Sequence, residues 1–293
     1  MILQLNRLGF SHHNHNHHMS KASLASLQVF RSQVTEKLHQ VLESLKLGSD
    51  ILSLKWIHNC LQMLPILNNE FAKLMAEIDY PVISWEAGSI DEYLDYTINL
   101  LELLNAISSS VSRLNQARVS LSHALSHMES SGSPAMAVER FREITGNDSI
   151  KGFKASGGDE GKNRKGKERI FHEALILLKS TGFWVCGVVL SGLNSTDALL
   201  IGKIMRNGAM VDSIFSKKIN EERRLVKEVE EVNAIVRMIV SEEIGDSDSA
   251  MDLKRRLEVV RNGLNGLKVE EECLFAEVMA ARNEVIETLR RNN

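Results

Sequence analysis

The sequence predicts an all-α protein: an elongated antiparallel bundle of long helices, interrupted by a flexible basic linker. Three observations lead there. Only 3 of the 293 residues are proline and 5% are aromatic, which disfavours a β-sandwich and favours long helices. Apolar residues recur at steps of three and four in most tracts, and no convincing alternating strand is present. Hydrophobic residues make up 43% and charged residues 25%, a balance that supplies a core and argues against wholesale disorder.

The chain divides into four regions. Residues 1–19 form a disordered, His-rich tail, residues 20–130 an N-terminal helical region, residues 131–169 the basic linker, and residues 170–293 a C-terminal helical region that packs on the N-terminal helices. Residues 1–35 lack Asp and Glu and carry Arg7, Lys21 and Arg31. This is a weak organelle-transit composition, and we read it as a polar tail leading into a helix.

The first helix is expected from about Ser20 to Lys46, with Leu24, Leu27, Val34, Leu38, Val41 and Leu45 as its stripe and Gly48 as its stop. A second tract, Ile51–Ile78, holds Leu54, Ile57, Leu61, Leu64, Phe71, Met75 and Ile78 in a heptad frame, with polar Asn68 on the seam. Pro65 removes a backbone donor and should kink or split it. Tyr80–Ser89 reads as an extended connection around Pro81. Ser89 with Glu92 three residues on matches a capping box for a long third helix, Ile90 to about Met128. Its apolar line runs through Leu94, Thr97, Leu101, Leu104, Val111, Leu114, Leu121, Leu125 and Met128.

Ser130–Pro134 should end that helix, and a short helix is expected around Pro134–Ile144. Lys151–Arg169 carries seven basic residues, three acidic ones and five glycines, a net formal charge of +4 (seven minus three). Ile170–Phe215 is the apolar region, with a break at Gly192–Ser195. The last 78 residues are charge-rich. A helix from about Lys217 to Glu243 is followed by a turn and cap at Asp246–Ser249. The final helix has the cleanest seam: Leu253, Leu257, Val260, Leu264, Leu267, Leu274, Val278, Ala281 and Val285, with Glu271 at the missing seam position.

Ser180–Thr196 contains no charged residue. Seventeen residues is the bottom of the range that spans a membrane, and a buried bundle helix has the same character. Asp197 and Lys203 follow closely, so peripheral contact through residues 151–196, or none, is expected over a true single-pass span. A cytoplasmic location follows, with plastid import less favoured.

Few residues suggest chemistry. His12, His13, His15, His17 and His18 have metal-ligand character but no surrounding structure to fix a site. His123 and His127 share one helix face, yet no Glu follows His123 to complete a zinc motif. Gly161–Glu168 nearly matches a phosphate loop, but Glu168 stands where a hydroxyl should meet magnesium. His58 and Cys60 point to different helix faces. Cys186 sits in apolar surroundings, where a thiol is inert. Three cysteines do not make a disulfide framework, and a net charge of -3 argues against general nucleic-acid binding. No catalytic, cofactor or metal residue is assigned. The oligomeric state is not legible.

One stretch goes beyond patterning. Pro81-Val82-x-x-Trp85-Glu86, Asp91-x-Tyr93-Leu94-Asp95, Leu101-x-Leu103-x-Asn105 and Arg113-Leu114-Asn115-Gln116 resemble the plant BYPASS-related, or ROH-like, family. The segment Asp50–Trp56 looks similar too. The Pro/Phe-rich start of some relatives is replaced by the His tract. The resemblance implies a non-enzymatic plant regulatory or adaptor protein acting in root and shoot development by restraining a mobile signal. It also implies a protein partner, with an exocyst subunit and a role in secretion as one alternative. The rival to the resemblance is an enzyme acting on the precursor of a mobile signal through an unrecognised acid–base pair. On physical grounds Trp85 should plug a gap between helices, and Asn115 should satisfy polar groups at a seam.

Overall fold

A computed structural model describes residues 20–46, 52–130, 140–145, 164–194, 225–242 and 247–291. Among these residues every regular element is helical. They are α1 (Lys21–Lys46), α2 (Leu54–Leu61), α3 (Met63–Glu77), a 3-10 turn (Val82–Ser84), α4 (Ala87–Ser130), α5 (Gly166–Leu193), α6 (Lys227–Glu242) and α7 (Ser247–Arg291). The His tract, the Pro134–139 stretch, the segment 151–163, Ser195–Phe215 and the expected helix start at Lys217 lie outside the described residues.

The expected split near Pro65 occurs at Gln62, between α2 and α3. A proline ring collides with the carbonyl four residues earlier. For Pro65 that residue is Leu61, the last of α2. The α2 start is capped twice. Ser53 Oγ accepts from Trp56 N–H at 3.1 Å, and both Glu228 carboxylate oxygens accept from Leu54 N–H at 2.9 and 3.1 Å. Val226 N–H donates to Gly192 O and Lys227 N–H to Leu52 O, so the start of α6 is stitched to the end of α5 and the start of α2. Leu52 accepts a left-handed φ of 59° at this junction.

α5 is the centre. It packs against α1, α2, α3 and α4, and Trp184, Val185, Cys186, Val188, Val189, Leu190 and Leu193 are fully buried. A helix apolar all round belongs in a core or a membrane. This one is long and apolar enough to cross a membrane by length and composition, and 83% of its apolar window is buried inside the fold. It begins at Gly166 rather than at Ile170, so Gly166–Arg169, expected in the linker, form its first turn.

α4 and α7 are the long struts, 44 and 45 residues, about 66 Å each at 1.5 Å per residue. They run antiparallel. Arg282 reaches Leu94 and Thr97, while Glu271 meets Ser108 further along α4. α4 and α5 instead run parallel, with Ser89 facing Glu168 and Arg113 facing Asn194. The long connection between them lets the chain return to the end where α4 began. Because α4 lies between α5 and α7, it buries more than its expected line: Tyr93, Tyr96, Leu100, Leu103 and Ile107 are also inside.

The seam of α7 is as expected, with every named position buried. α7 itself begins at Ser247, so Asp248 and Ser249 are helical rather than part of a turn. In α1 the buried line is Leu27, Phe30, Val34 and Leu38. Phe30 joins the expected line, and Leu24, expected inside, is 42% exposed because it lies one turn before the first buried residue, Leu27. Residues 140–145 contain no helix. They are nevertheless docked. Phe141 and Ile144 are buried, and the Asn233 carboxamide brackets Ile144 by accepting from its N–H at 2.7 Å and donating to its carbonyl at 2.8 Å.

Candidate functional site

The Pro81–Glu86 and Asp91–Asp95 motifs meet where the 3-10 turn, the start of α4 and the start of α5 come together, while Leu101–Asn105 and Arg113–Gln116 lie further along α4. α3 ends in a turn in which Asp79 adopts φ 50° and Tyr80 N–H returns to Met75 O. This aims Tyr80 inward. Tyr80 and Ser89 hydroxyls both donate to the Glu168 carboxylate, and all three side chains are buried. Ser89 is therefore no N-cap. It lies inside the first turn of α4, which starts at Ala87. Burial, then the neighbouring Glu168, pushes the Tyr80 hydroxyl far above its ordinary pKa, so it stays a neutral donor. Trp85 is 6% exposed, donates from Nε1 to Tyr80 O at 3.1 Å, and stands edge-on to Tyr93 with centroids 5.3 Å apart. It plugs the gap between helices, as its size suggests.

Glu92, expected to close a capping box, instead gathers Lys179, His172 and Arg164. Its Oε1 accepts from Lys179 Nζ at 3.1 Å. Its Oε2 accepts from His172 Nδ1 at 3.1 Å and from Arg164 Nη1 at 3.4 Å. Arg164 also contacts the His172 ring. Burial works to raise the Glu92 pKa, but Lys179, then His172 and Arg164, outweigh it, and the carboxyl titrates below its ordinary range. The ion pairs lock the start of α5 onto α4. At the other end Arg113 Nη2 donates to the buried Asn194 Oδ1 at 2.9 Å, where α5 stops. Arg113 thus has the seam role expected of Asn115, whose carboxamide only accepts from Arg118 of its own helix.

Beside this junction an open cavity of about 90 Å³ lies between α3, α4 and α7. Its walls include Phe71, Trp85, Tyr93 and Tyr96. Glu277 and Glu284 of α7 line it two turns apart, with Ala280 and Ala281 between them. Burial, then Glu284, pushes the Tyr93 hydroxyl up to about 12, and burial raises Tyr96 as well. Single-residue motifs could not reveal this cavity. The spacing Glu277-x-x-Ala280-Ala281-x-x-Glu284 is its only sequence signal.

The other residues singled out are dispersed. His58 faces Glu270 at 3.4 Å, while Cys60 is fully buried and its thiol pKa is raised by burial. Burial likewise pushes the Cys186 thiol up to about 12. His123 is exposed and His127 half-buried, and among the described residues no group of three or more metal-ligating side chains forms. Lys165 and Gly166 of the near phosphate loop begin α5, where Lys167 Nζ donates to Asp79 O at 2.6 Å and Glu168 is occupied by Tyr80 and Ser89.

Fold and junction define a class: a helical scaffold wrapped around one apolar helix, whose ends are tied by buried polar contacts. Residues 2–169, more than half of the chain, match the family described as Protein ROH1-like, and the chain belongs to that family. The resemblance carried by Pro81–Gln116 lies wholly inside this match. Over 93% of its length the chain is 23% identical to Protein BPS1, chloroplastic, of Arabidopsis thaliana, covering 86% of that protein. It is also 33% identical to UPF0496 protein 4 of Oryza sativa, in both the indica and japonica subspecies, over 32% of this chain and 21% of that protein. No solved structure matches.

Proposed function

We propose that the chain is a non-enzymatic plant regulatory adaptor, acting in root and shoot development by restraint of a mobile signal through protein–protein contact. The observation that carries this reading is the exposed apolar surface near the end of α6 and the start of α7. Met238, Val240 and Met251 stand 42–68% exposed there, within about a turn of Glu242 and Ser247. Exposed methionines adapt to partner surfaces. Supporting a non-catalytic role, the shifted thiols and phenols move towards their inert neutral forms, and Glu92 is consumed by its ion pairs.

An exocyst subunit is one partner to test. Immunoprecipitation of the tagged protein from plant tissue, with Met238→Glu/Met251→Glu alongside the natural chain, is the experiment. Partners retained by the natural chain and lost by the variant, with helicity unchanged, support the reading. An unchanged partner set refutes it.

For the apolar helix the reading is a core element of a cytoplasmic protein, with membrane contact peripheral if present. Insertion would require α5 to leave α1–α4, and four neighbouring helices would lose their apolar cover. The chloroplastic designation of the Arabidopsis relative supports plastid import as the competing location. Cell fractionation separates these: carbonate or high salt should release any membrane-bound protein, whereas retention until detergent, or recovery inside plastids, contradicts the reading.

A further inference from the structure

The short segment docked on α6 is held by means that no helix of the bundle shares. Residues 140–145 contain no helix, and of their six side chains only Phe141 and Ile144 are buried, with exposed residues before, between and after them. α6 receives them through one carboxamide. Asn233 Oδ1 accepts from Ile144 N–H at 2.7 Å, and Asn233 Nδ2 donates to Ile144 O at 2.8 Å. One turn further along α6, Arg237 Nη1 donates to Glu143 Oε2 at 2.6 Å. Asn233 is 3% exposed, and Val229 and Val236, its neighbours on the same helix face, are buried too. A buried carboxamide is costly unless both its oxygen and its nitrogen are bonded. The backbone of a single residue satisfies both, provided that its N–H and C=O are free, and inside a helix they are already used. This face of α6 therefore suits a non-helical peptide. Asn233 grips its backbone, two apolar seats take its side chains, and Arg237 takes an acid.

We propose that this face of α6 is a peptide-binding site, held in cis by Phe141–Ile144 and taken in trans by a partner's segment of the same chemistry: an aromatic residue, an acidic residue two positions on, and an aliphatic residue directly after it. The proposal rests on the adaptor reading for the existence of a partner, and it states what that partner presents. In recognition of this kind main-chain hydrogen bonds supply affinity and side-chain pockets supply specificity. The cis segment is held lightly enough to exchange. Two buried side chains and one carboxamide fix it, and the Arg237–Glu143 pair, 52% and 41% exposed, adds little. Its advantage over a free peptide is that it belongs to the same chain, equivalent to an effective concentration on the order of 1 mM. A partner helix would meet Asn233 with its backbone groups already bonded and would leave the carboxamide unsatisfied.

The test uses the full chain and a synthetic peptide with the sequence of residues 138–147, labelled with fluorescein and followed by anisotropy. Phe141→Ala/Ile144→Ala empties the two seats from within the chain. This opened chain should bind the peptide at least about tenfold more tightly than the natural chain, whose site is occupied. Adding Asn233→Ala to the opened chain should weaken the peptide at least about tenfold, since both backbone hydrogen bonds are lost. The natural chain supplies a second measurement. Hydrogen exchange of the Ile144 amide, which donates to Asn233, should quicken when unlabelled peptide is added at about 10 mM, above the effective concentration of the cis segment. If the opened chain loses helicity, the amide measurement decides alone. All these readouts need only purified chain and peptide, so they stand or fall separately from the immunoprecipitation with Met238→Glu/Met251→Glu. Equal affinity for the natural and opened chains, no binding by a folded opened chain, or binding indifferent to Asn233→Ala would each overturn the proposal. So would an Ile144 amide that the peptide leaves unchanged, because residues 140–145 would then be a fixed strut of the bundle.

Discussion

Glu271→Leu should make this protein more stable. Glu271 lies on the α7 seam between Leu267 and Leu274 and is 3% exposed. One carboxylate oxygen accepts from Ser108, and Oε2 is buried with no partner among the described residues. Burial pushes the carboxyl pKa up, against the Ser108 hydrogen bond that pulls it down. An unsatisfied buried polar atom costs about 1–3 kcal/mol, and the lost Ser108 bond about 1 kcal/mol in the other direction. Leucine also buries an apolar side chain, a gain of about 1.5–3 kcal/mol when fully realised. Allowing for imperfect fit, the net gain is about 1–3 kcal/mol, or about 2–4 °C of Tm for each kcal/mol. Urea unfolding at pH 7, followed by circular dichroism, measures it. The pH dependence has a definite sign. A raised folded pKa means that the protonated carboxyl is favoured in the fold, a contribution present below the unfolded pKa and lost as pH rises through the folded one. The advantage of Glu271→Gln over the natural chain should therefore shrink as pH falls through the carboxylate range. A loss of more than about 1 kcal/mol in Glu271→Leu at pH 7 would refute the reasoning, since a loss that large is that of a satisfied interaction removed.

Glu92→Gln should destabilise by about 3 kcal/mol, because it leaves Arg164, Lys179 and His172 facing one another at 9–17% exposure. The depressed Glu92 pKa implies a contribution present above the ordinary carboxylate range and lost as pH falls through the folded value, which urea titrations across pH will show. The two α7 glycines should respond oppositely. A Cβ at Gly263 would lie 2.6 Å from Leu54 Cδ1 and 2.9 Å from Leu54 Cβ, so Gly263→Ala should lower Tm, whereas Gly266 has nothing within 4 Å and Gly266→Ala should gain about 0.5–1 kcal/mol. Asp79→Gly should gain about 1 kcal/mol by relieving the left-handed conformation at the end of α3, read as a rise in thermal midpoint.

Helical periodicity carries most of the fold, and the places where it fails have physical causes. The α7 seam was legible because one face of that helix meets its neighbours, so the step pattern is clean. α4 was only half legible: packed between α5 and α7, it buries two faces, and Tyr96 and Leu103 look like noise against a single stripe. The basic composition of 131–169 hid two docked pieces. Phe141 and Ile144 are too few to register as a tract, and the Asn233 bracket joins positions 89 residues apart. The Ser89–Glu92 pair fits a local capping rule, but Glu168 and Lys179, remote in sequence, claim both side chains. Trp85 was read correctly as a plug because a large aromatic after a proline-bound turn has few other places to go. Of the cavity only the Glu277–Glu284 spacing on α7 was legible, since its walls come from α3, α4, α5, α7 and the connection carrying Trp85, whose register is set only by tertiary packing.

The account stands or falls on α5 being the centre of a bundle that folds in water. Hydrogen exchange of the purified chain without detergent or lipid, followed residue by residue, measures this directly. The amides of Phe183–Leu190 should be the slowest in the protein, exchanging only through global unfolding, and vesicles should not change them. Rapid exchange of those amides in water, with protection arising only when vesicles are added, would contradict it.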